Sequence, residues 1–553
     1  MPVKTESIEY QTTIVGAAYL VKGILTRLRF VSVIDEALRS QPDLETTYGA
    51  LAQVIVANRL TFQPMPLYKL AEWASEHGLD HVFDLEADWL DDDRLGAMLE
   101  GVADHQVTIW SALVKQAIHR FHIDLKDLHA DTTSVYFEGA YETEDGSPKG
   151  GGDRIPLLVE GYNKDGQRRK VQLVLSLITQ GRLPLWYCPW DGNQTDDAVY
   201  IADMTALRKA VLIPSNVLLI GDRKLCNEET LVGFCRQHQL FLAAHPWTDT
   251  AKSVWRETWQ RLQAGQLTWT SVEYASRNKA HKPPEERPAY RVCEIAHPLK
   301  DAQAPQGQHT LRWAFVWSSD KAAQDARQRT EAIQAGDATL KRVKTLLGKY
   351  DYVSRQTIEA RIDQALHKAK ASAYFTYTLT GTDENQAWQL RWRRRHAVIE
   401  GDANFDGVAL LCTNAPPARL SSSEAMIKYK EQVCVEQTID FLKSPVQIRP
   451  MWLHTPKRLA GLTLLIMVAT LVAALLEYQV RRWIAKTGQV VKGLRPEGRD
   501  DPYPTAKSIL RAFQDYALVI LRRGKGQAQV RHPKLRPVQQ KIWNIMGLPL
   551  LPS

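Results

Sequence analysis

The chain has 553 residues, too many for one hydrophobic core, and its 44% hydrophobic and 24% charged content is that of an ordinary soluble globular protein. Its net charge of +8 is unevenly spread: residues 1–120 carry 10 Lys/Arg against 17 Asp/Glu, and residues 444–553 carry 18 against 5. The six cysteines are scattered with no Cys-x-x-Cys pair, which argues against a disulfide framework or a cysteine-rich zinc site and suits a reducing compartment.

The first predicted region, 1–120, is a helical N-terminal domain that fits DNA binding. Its start, Met1 to Glu6, has no apolar stretch after its charges and does not read as a signal peptide. Leu51–Leu60 has the composition of a largely apolar helix, Pro64 and Pro66 interrupt it, and Leu67–His77 resumes. Asp91, Asp92 and Asp93 sit at a helix start, where acidic side chains complement the helix dipole. The acidity of the region restricts any DNA contact to a local patch.

From residue 121 the pattern becomes that of an α/β core whose first part runs to 250. Strands are predicted over Leu125–Phe137, Val171–Thr179, Leu185–Trp190, Val217–Ile220 and Leu240–Ala244, with Gly150–Gly152 as a loop. Helices are predicted over Thr195–Ala210 and Asn227–His238, so strands and helices alternate as in a mixed sheet.

Residues 251–400 read as an insertion subdomain, mainly β. It has strand patterns at Leu267–Tyr274, Tyr290–Ile295 and Thr310–Val316, then a charged helical stretch over 321–371. The cluster Arg391-Trp392-Arg393-Arg394-Arg395-His396 fits a DNA-backbone contact with Trp392 stacking, and equally a solvated strand edge guarded by charge.

The second part of the core is 401–483, helical from Ser421 to about Trp483. Within it Leu459–Leu476 is 18 residues without a charge, at the threshold for a membrane span. A helix buried in a soluble core has the same composition; a lone segment without a second span predicts the buried helix and no membrane. The remainder, 484–553, is a basic C-terminal tail punctuated by Pro and Gly. Its charge is the footprint of a polyanion partner, because each Lys or Arg that meets a phosphate releases a counterion, although a solvated tail has the same composition. Gly524-Lys525-Gly526 is a loop without a phosphate-binding context.

Two aspartates stand where a sheet presents ligands. Asp131 lies in a strand, and Asp222 directly follows an apolar one; an acid at a strand's carboxyl end is exposed at the sheet edge. Either alone reads more readily as a turn or capping residue. Tyr429, Gln432, Glu436 and Lys443 are spaced so that, at about 100° per residue, one helix brings them onto a stripe roughly 60° wide. Val435, Ile439 and Leu442 form the adjoining apolar stripe, so the helix can pack on a sheet and aim the polar set into one cleft. An ordinary amphipathic helix with a mixed polar face has the same spacing.

Together these residues resemble the bacterial insertion-sequence transposases of the DDE type with an RNase H-like core, in the group with a Tyr-x2-Arg-x3-Glu-x6-Lys signature. Gly192-Asn193-Gln194-Thr195-Asp196, Gly221-Asp222-Arg223 and Asp406-Gly407 followed by Leu410-Leu411-Cys412-Thr413-Asn414 add to the likeness, which spans about 120–480. Gln432 departs from the signature arginine. The resemblance implies a catalytic and metal-binding set of Asp131, Asp222 and Glu436 holding two Mg2+ or Mn2+ ions. It further implies DNA contacts by Tyr429, Gln432, Lys443 and Arg223, beside Arg393, Arg394 and Arg395. The implied activity is metal-dependent cleavage and strand transfer at inverted DNA ends. Its partners would be terminal-repeat and target DNA, its assembly a homodimer, and its location the bacterial cytoplasm, on the nucleoid when bound. A catalytically inactive DNA-binding relative is the alternative.

Overall fold

A computed structural model of the protein describes residues 8–551 apart from 40–45, 62–63, 138–154, 162–169, 196–198, 278, 281, 305, 385–386, 445–452, 454, 496, 524–528 and 550. The expected loop at 150–152, Asp196 and the 524–526 loop therefore lie outside the described residues. The chain forms two compact units, one of Met1–Phe241 with Glu431–Ser553 and one of Leu242–Lys430.

The first unit opens with a strand that the sequence did not suggest, β1 (Ile8–Ile14). The predicted helices follow as α1 (Ala18–Arg27), α2 (Phe30–Leu38), α3 (Tyr48–Asn58), α4 (Leu70–Glu76), α5 (Leu79–Phe83), α6 (Asp92–Asp104) and α7 (Gln106–Phe121). Asp91 caps α6 as expected, its Oδ1 accepting from Asp93 N at 3.0 Å and Arg94 N at 2.9 Å. That satisfies backbone donors the first turn would otherwise leave open.

The sheet of this unit is built from β2 (Asp127–Tyr136), β3 (Val159–Glu160), β4 (Val171–Gln180), β5 (Leu183–Trp190) and β6 (Leu218–Gly221), with α8 (Tyr200–Ala210) and α9 (Glu228–Arg236) between and after them. β4 runs antiparallel to β2, β3 and β5, and β6 runs parallel to β2. β2 thus has partners on both edges. Of its ten residues only Asp131 and Tyr136 are not buried. The chain passes into the second unit within β7 (Leu240–His245).

The second unit contains α10 (Asp249–Gln263), β8 (Thr270–Val272), β9 (Tyr290–Lys300), β10 (Gln308–Ser318), α11 (Ser319–Leu346) and α12 (Arg355–Lys368). It continues with β11 (Phe375–Thr380), β12 (Gln389–Arg394), α13 (His396–Ala403), β13 (Val408–Thr413) and α14 (Ser422–Lys430). Its sheet is antiparallel in the order β7–β13–β10–β9–β8. The insertion is not mainly β: α11 and α12 hold 28 and 14 residues and pack with the β11–β12 hairpin on a core that includes Leu340, Ile358, Ile362, Phe375 and Leu390.

Returning to the first unit, the chain forms α15 (Val433–Lys443), α16 (Pro456–Thr487), α17 (Ala506–Arg511), β14 (Ala517–Arg523), β15 (Gln529–Arg531) and α18 (Pro537–Met546). Among the described residues, α16 is the one helix long and apolar enough to cross a membrane, but its apolar window is wholly enclosed by protein. It packs against α3, α6 and α7. At the crossing with α6, a Cβ on Gly461 would lie 2.1 Å from the Leu99 carbonyl oxygen, so only glycine permits that approach. The basic C-terminal region is not a loose tail. β14 pairs with β1 along seven residues, from Ile8↔Arg523 to Ile14↔Ala517, and so ties both ends of the chain into one small sheet.

Candidate active site

The last register pair between β2 and β6 is Ala130↔Gly221. The next residues along these parallel strands are Asp131 and Asp222, which therefore project side by side from one face. Tyr200, the buried first residue of α8, donates its hydroxyl hydrogen to Asp222 Oδ1 at 3.2 Å. Burial pushes its phenol well above the ordinary value, helped by the charges of Asp222 and Asp131, the bond to Asp222 and the charge of Asp203. A single phenol that senses both aspartates marks their common neighbourhood. Asp222 Oδ1 also accepts from Lys224 N at 3.0 Å and so caps the short turn Arg223–Leu225. Asp131, half-buried, accepts from Thr132 N at 2.7 Å.

Helix α15 is fastened to the same face of β2. Gln432, at its N-cap and only 6% exposed, donates from Nε2 to the Ala130 carbonyl at 2.9 Å. Its Oε1 lies 3.2 Å from His129 Nδ1; an amide oxygen only accepts, so the His129 tautomer carries its hydrogen on Nδ1. His129 and Asp131 are two residues apart on a strand and share a face. Glu436, one turn beyond Gln432, is exposed above it. Partial desolvation raises the Glu436 carboxyl first, followed by the negative charges of Asp440 and Asp222.

A buried ion cluster holds the helix from behind. Arg182, at the β4–β5 turn, donates from Nη1 to Glu477 Oε1 at 2.6 Å and Oε2 at 2.9 Å, and from Nη2 to the Gln437 carbonyl at 3.1 Å. Arg481 Nη2 lies 3.0 Å from Glu477 Oε2, and Ala506 N donates to Oε1 at 2.7 Å.

Of the predicted residues, Asp131, Asp222 and Glu436 are all in the first unit and electrostatically linked through Tyr200 and through the Glu436–Asp222 influence. Among the described residues, no three His, Cys, Asp or Glu side chains are close enough to hold a metal ion as they stand. The single-helix projection of 429–443 fails: the chain breaks at Glu431–Gln432, leaving Tyr429 on α14 in the second unit. Glu436 and Lys443 remain seven residues apart on α15, on one face. Val435, Ile439 and Leu442 are buried, as the spacing predicts.

Gln432 is a correction to the expected DNA contacts. Its amide is spent on β2 and faces inward. Arg223 is exposed beside Asp222. Arg393, Arg394 and Arg395 are exposed at the end of the hairpin in the second unit. There Arg393 Nε donates to Thr376 Oγ1 at 3.3 Å, Arg394 Nε to Asp337 Oδ2 at 2.9 Å and Arg395 Nη1 to the Ala373 carbonyl at 3.3 Å. Trp392 is likewise engaged, donating to Asp337 Oδ1 at 3.1 Å.

The Gly192 motif has a packing reason: a Cβ there would lie 2.1 Å from the Gln172 carbonyl oxygen and 2.4 Å from that of Val159. Tyr200, His129 and Arg182 were missed by sequence reasoning. His129 carried a signal in its alternation with Asp131; Tyr200 and Arg182 act through contacts with residues remote in sequence.

Among curated proteins, no match to this chain is found. A family described as a domain of unknown function (DUF4277) matches residues 10–114, the strand β1 and the helices that follow it as far as the middle of α7.

Proposed function

We propose that this chain is a DNA transposase of the DDE type that cleaves and joins phosphodiester bonds at Asp131, Asp222 and Glu436. The observation that carries the reading is the register of β2 and β6, which sets Asp131 beside Asp222 on the face where Gln432 anchors the Glu436 helix. The strand order β5–β4–β2–β6, with only β6 parallel to β2, supports an RNase H-like core. The domain over 10–114 is of a kind commonly found in transposases.

The donor set fits hard divalent cations. Tyr200 and Glu436 are shifted upward first by burial and then by the charges of neighbouring carboxylates, and carboxylate oxygens suit Mg2+ or Mn2+. Two such ions would supply Lewis acidity to the attacking and leaving oxygens of an in-line displacement. The chain's own contribution is placement. Asp222 is oriented by the Tyr200 hydroxyl and Lys224 N, and Asp131 by the amide of Thr132, the next residue of β2. Glu436, exposed on α15, has to swing inward to complete the set. Lys443 on the same helix face, with the basic C-terminal region, provides cations for DNA phosphates, and a homodimer would bring two DNA ends together.

The test is nicking of DNA that carries the inverted ends flanking the gene, with magnesium. The wild-type protein cuts it, and Asp131→Ala, Asp222→Ala and Glu436→Ala do not. Intact DNA with the wild type, or equal cutting by Asp131→Ala, refutes the reading. A second reading, a DNA-binding relative without catalysis, is favoured by the three carboxylates not being assembled for an ion and by the inward-facing Gln432. It predicts salt-sensitive binding to the same DNA, no cleavage and no calorimetric uptake of magnesium.

A further inference from the structure

A cavity of about 460 Å3 opens in the helical part of the first unit, far from the carboxylate face in sequence and built from α3, α6 and α16 with the Pro64–Tyr68 segment. Its walls are apolar, including Met65, Leu67, Leu95, Leu99 and Leu462. Two arginines also line it, Arg59 at the C-cap of α3 and Arg458 in the first turn of α16. The Arg59 Nε is sealed from solvent with no partner, and its guanidinium makes no hydrogen bond or ion pair among the described residues. Burial pushes Arg59 down to about 10, still a cation at neutral pH. Arg458 is already answered by Glu100 at 2.7 Å. It lies across Gly96, where a Cβ would come within 2.6 Å of its Cζ. Asp92 also lines the cavity but is exposed and makes no ion pair with Arg59 among the described residues.

A guanidinium with one nitrogen sealed from water and no acceptor is unfavourable, and a planar carboxylate is the acceptor that matches its donor fork. The apolar walls call for an apolar body behind that head group, in a volume typical of small-molecule sites. We propose that this cavity is a binding site for a small organic carboxylate with an apolar tail, its head group paired with Arg59.

Calorimetry on the full chain with octanoate, 1-octanol and inorganic phosphate tests the assignment. Octanoate is expected to bind the wild type and at least tenfold more weakly to Arg59→Met, which keeps the apolar stem without the charge. Octanol should bind weakly and equally to both, and phosphate should give no heat. Arg59→Met should unfold at the wild-type temperature or above, because it removes an unpaired cation. Should that variant fail to fold, Met65→Trp, which fills the cavity and leaves Arg59 in place, is expected to lose both octanoate and octanol. Octanoate that binds Arg59→Met or Met65→Trp as well as the wild type, no octanoate binding at all, or phosphate binding equal to octanoate overturns the proposal.

Discussion

The Tyr200 hydroxyl donates to Asp222 Oδ1 at 3.2 Å from a position where burial and the charges of Asp222 and Asp131 keep the phenol protonated. A phenol that cannot ionise at neutral pH is a permanent donor. It holds one oxygen of Asp222.

Tyr200→Phe removes that donor and little else. DNA cleavage, or magnesium affinity measured by calorimetry, should fall roughly 10–100-fold, the usual effect of losing a partner of a metal-binding carboxylate. The circular dichroism spectrum should stay that of the wild type. An unchanged rate and affinity would show that the bond does not orient Asp222.

Gln432→Leu leaves the Ala130 carbonyl and the His129 Nδ1 hydrogen without their partner in a buried place. It should lose about 1–3 kcal/mol in urea unfolding. Gln432→Arg, which restores the signature residue, should also destabilise, since a guanidinium would replace an amide that is 6% exposed. A more active and equally stable Gln432→Arg would mean that this face of α15 opens toward the ligand.

Glu436 gives a pH signature whose sign follows from its raised carboxyl. Between the unfolded and folded values the native chain holds more proton than the unfolded one, so this group's contribution to stability falls as pH rises through that interval. The penalty is complete above the folded value. Wild-type Tm should therefore decline relative to Glu436→Gln as pH rises from about 4, the ordinary carboxyl range, toward neutrality. Magnesium should then raise the wild-type Tm more than that of Glu436→Gln. A Tm difference between the two proteins that stays flat with pH would contradict the raised value.

Glu477→Ala tests the support behind α15. Glu477 is 2% exposed and answers both Arg182 and Arg481. Its removal leaves two partly buried cations without their carboxylate and should cost about 3–5 kcal/mol in unfolding free energy. A loss below 1 kcal/mol, read from the same urea curves, would show that water takes over the role of the carboxylate.

What could be read from the sequence is what neighbouring residues decide among themselves. The apolar run Val217–Ile220 ends at Asp222, the strands around 127–136, 171–180 and 183–190 fall within a few residues of their expected bounds, and Asp91 caps α6 through its own next turn. The spacing of Val435, Ile439 and Leu442 likewise revealed the buried side of α15. Tertiary structure decided the rest, because it depends on partners hundreds of positions apart. The register Ala130↔Gly221 sets the two aspartates side by side, and the bond from Gln432 to Ala130 turns a would-be ligand inward. The pairing of β1 with β14 makes a structured element of a basic tail. Local spacing specifies a helix face or a strand; which strand lies next to which, and what a polar side chain meets there, is settled only when distant backbone groups satisfy one another's hydrogen bonds.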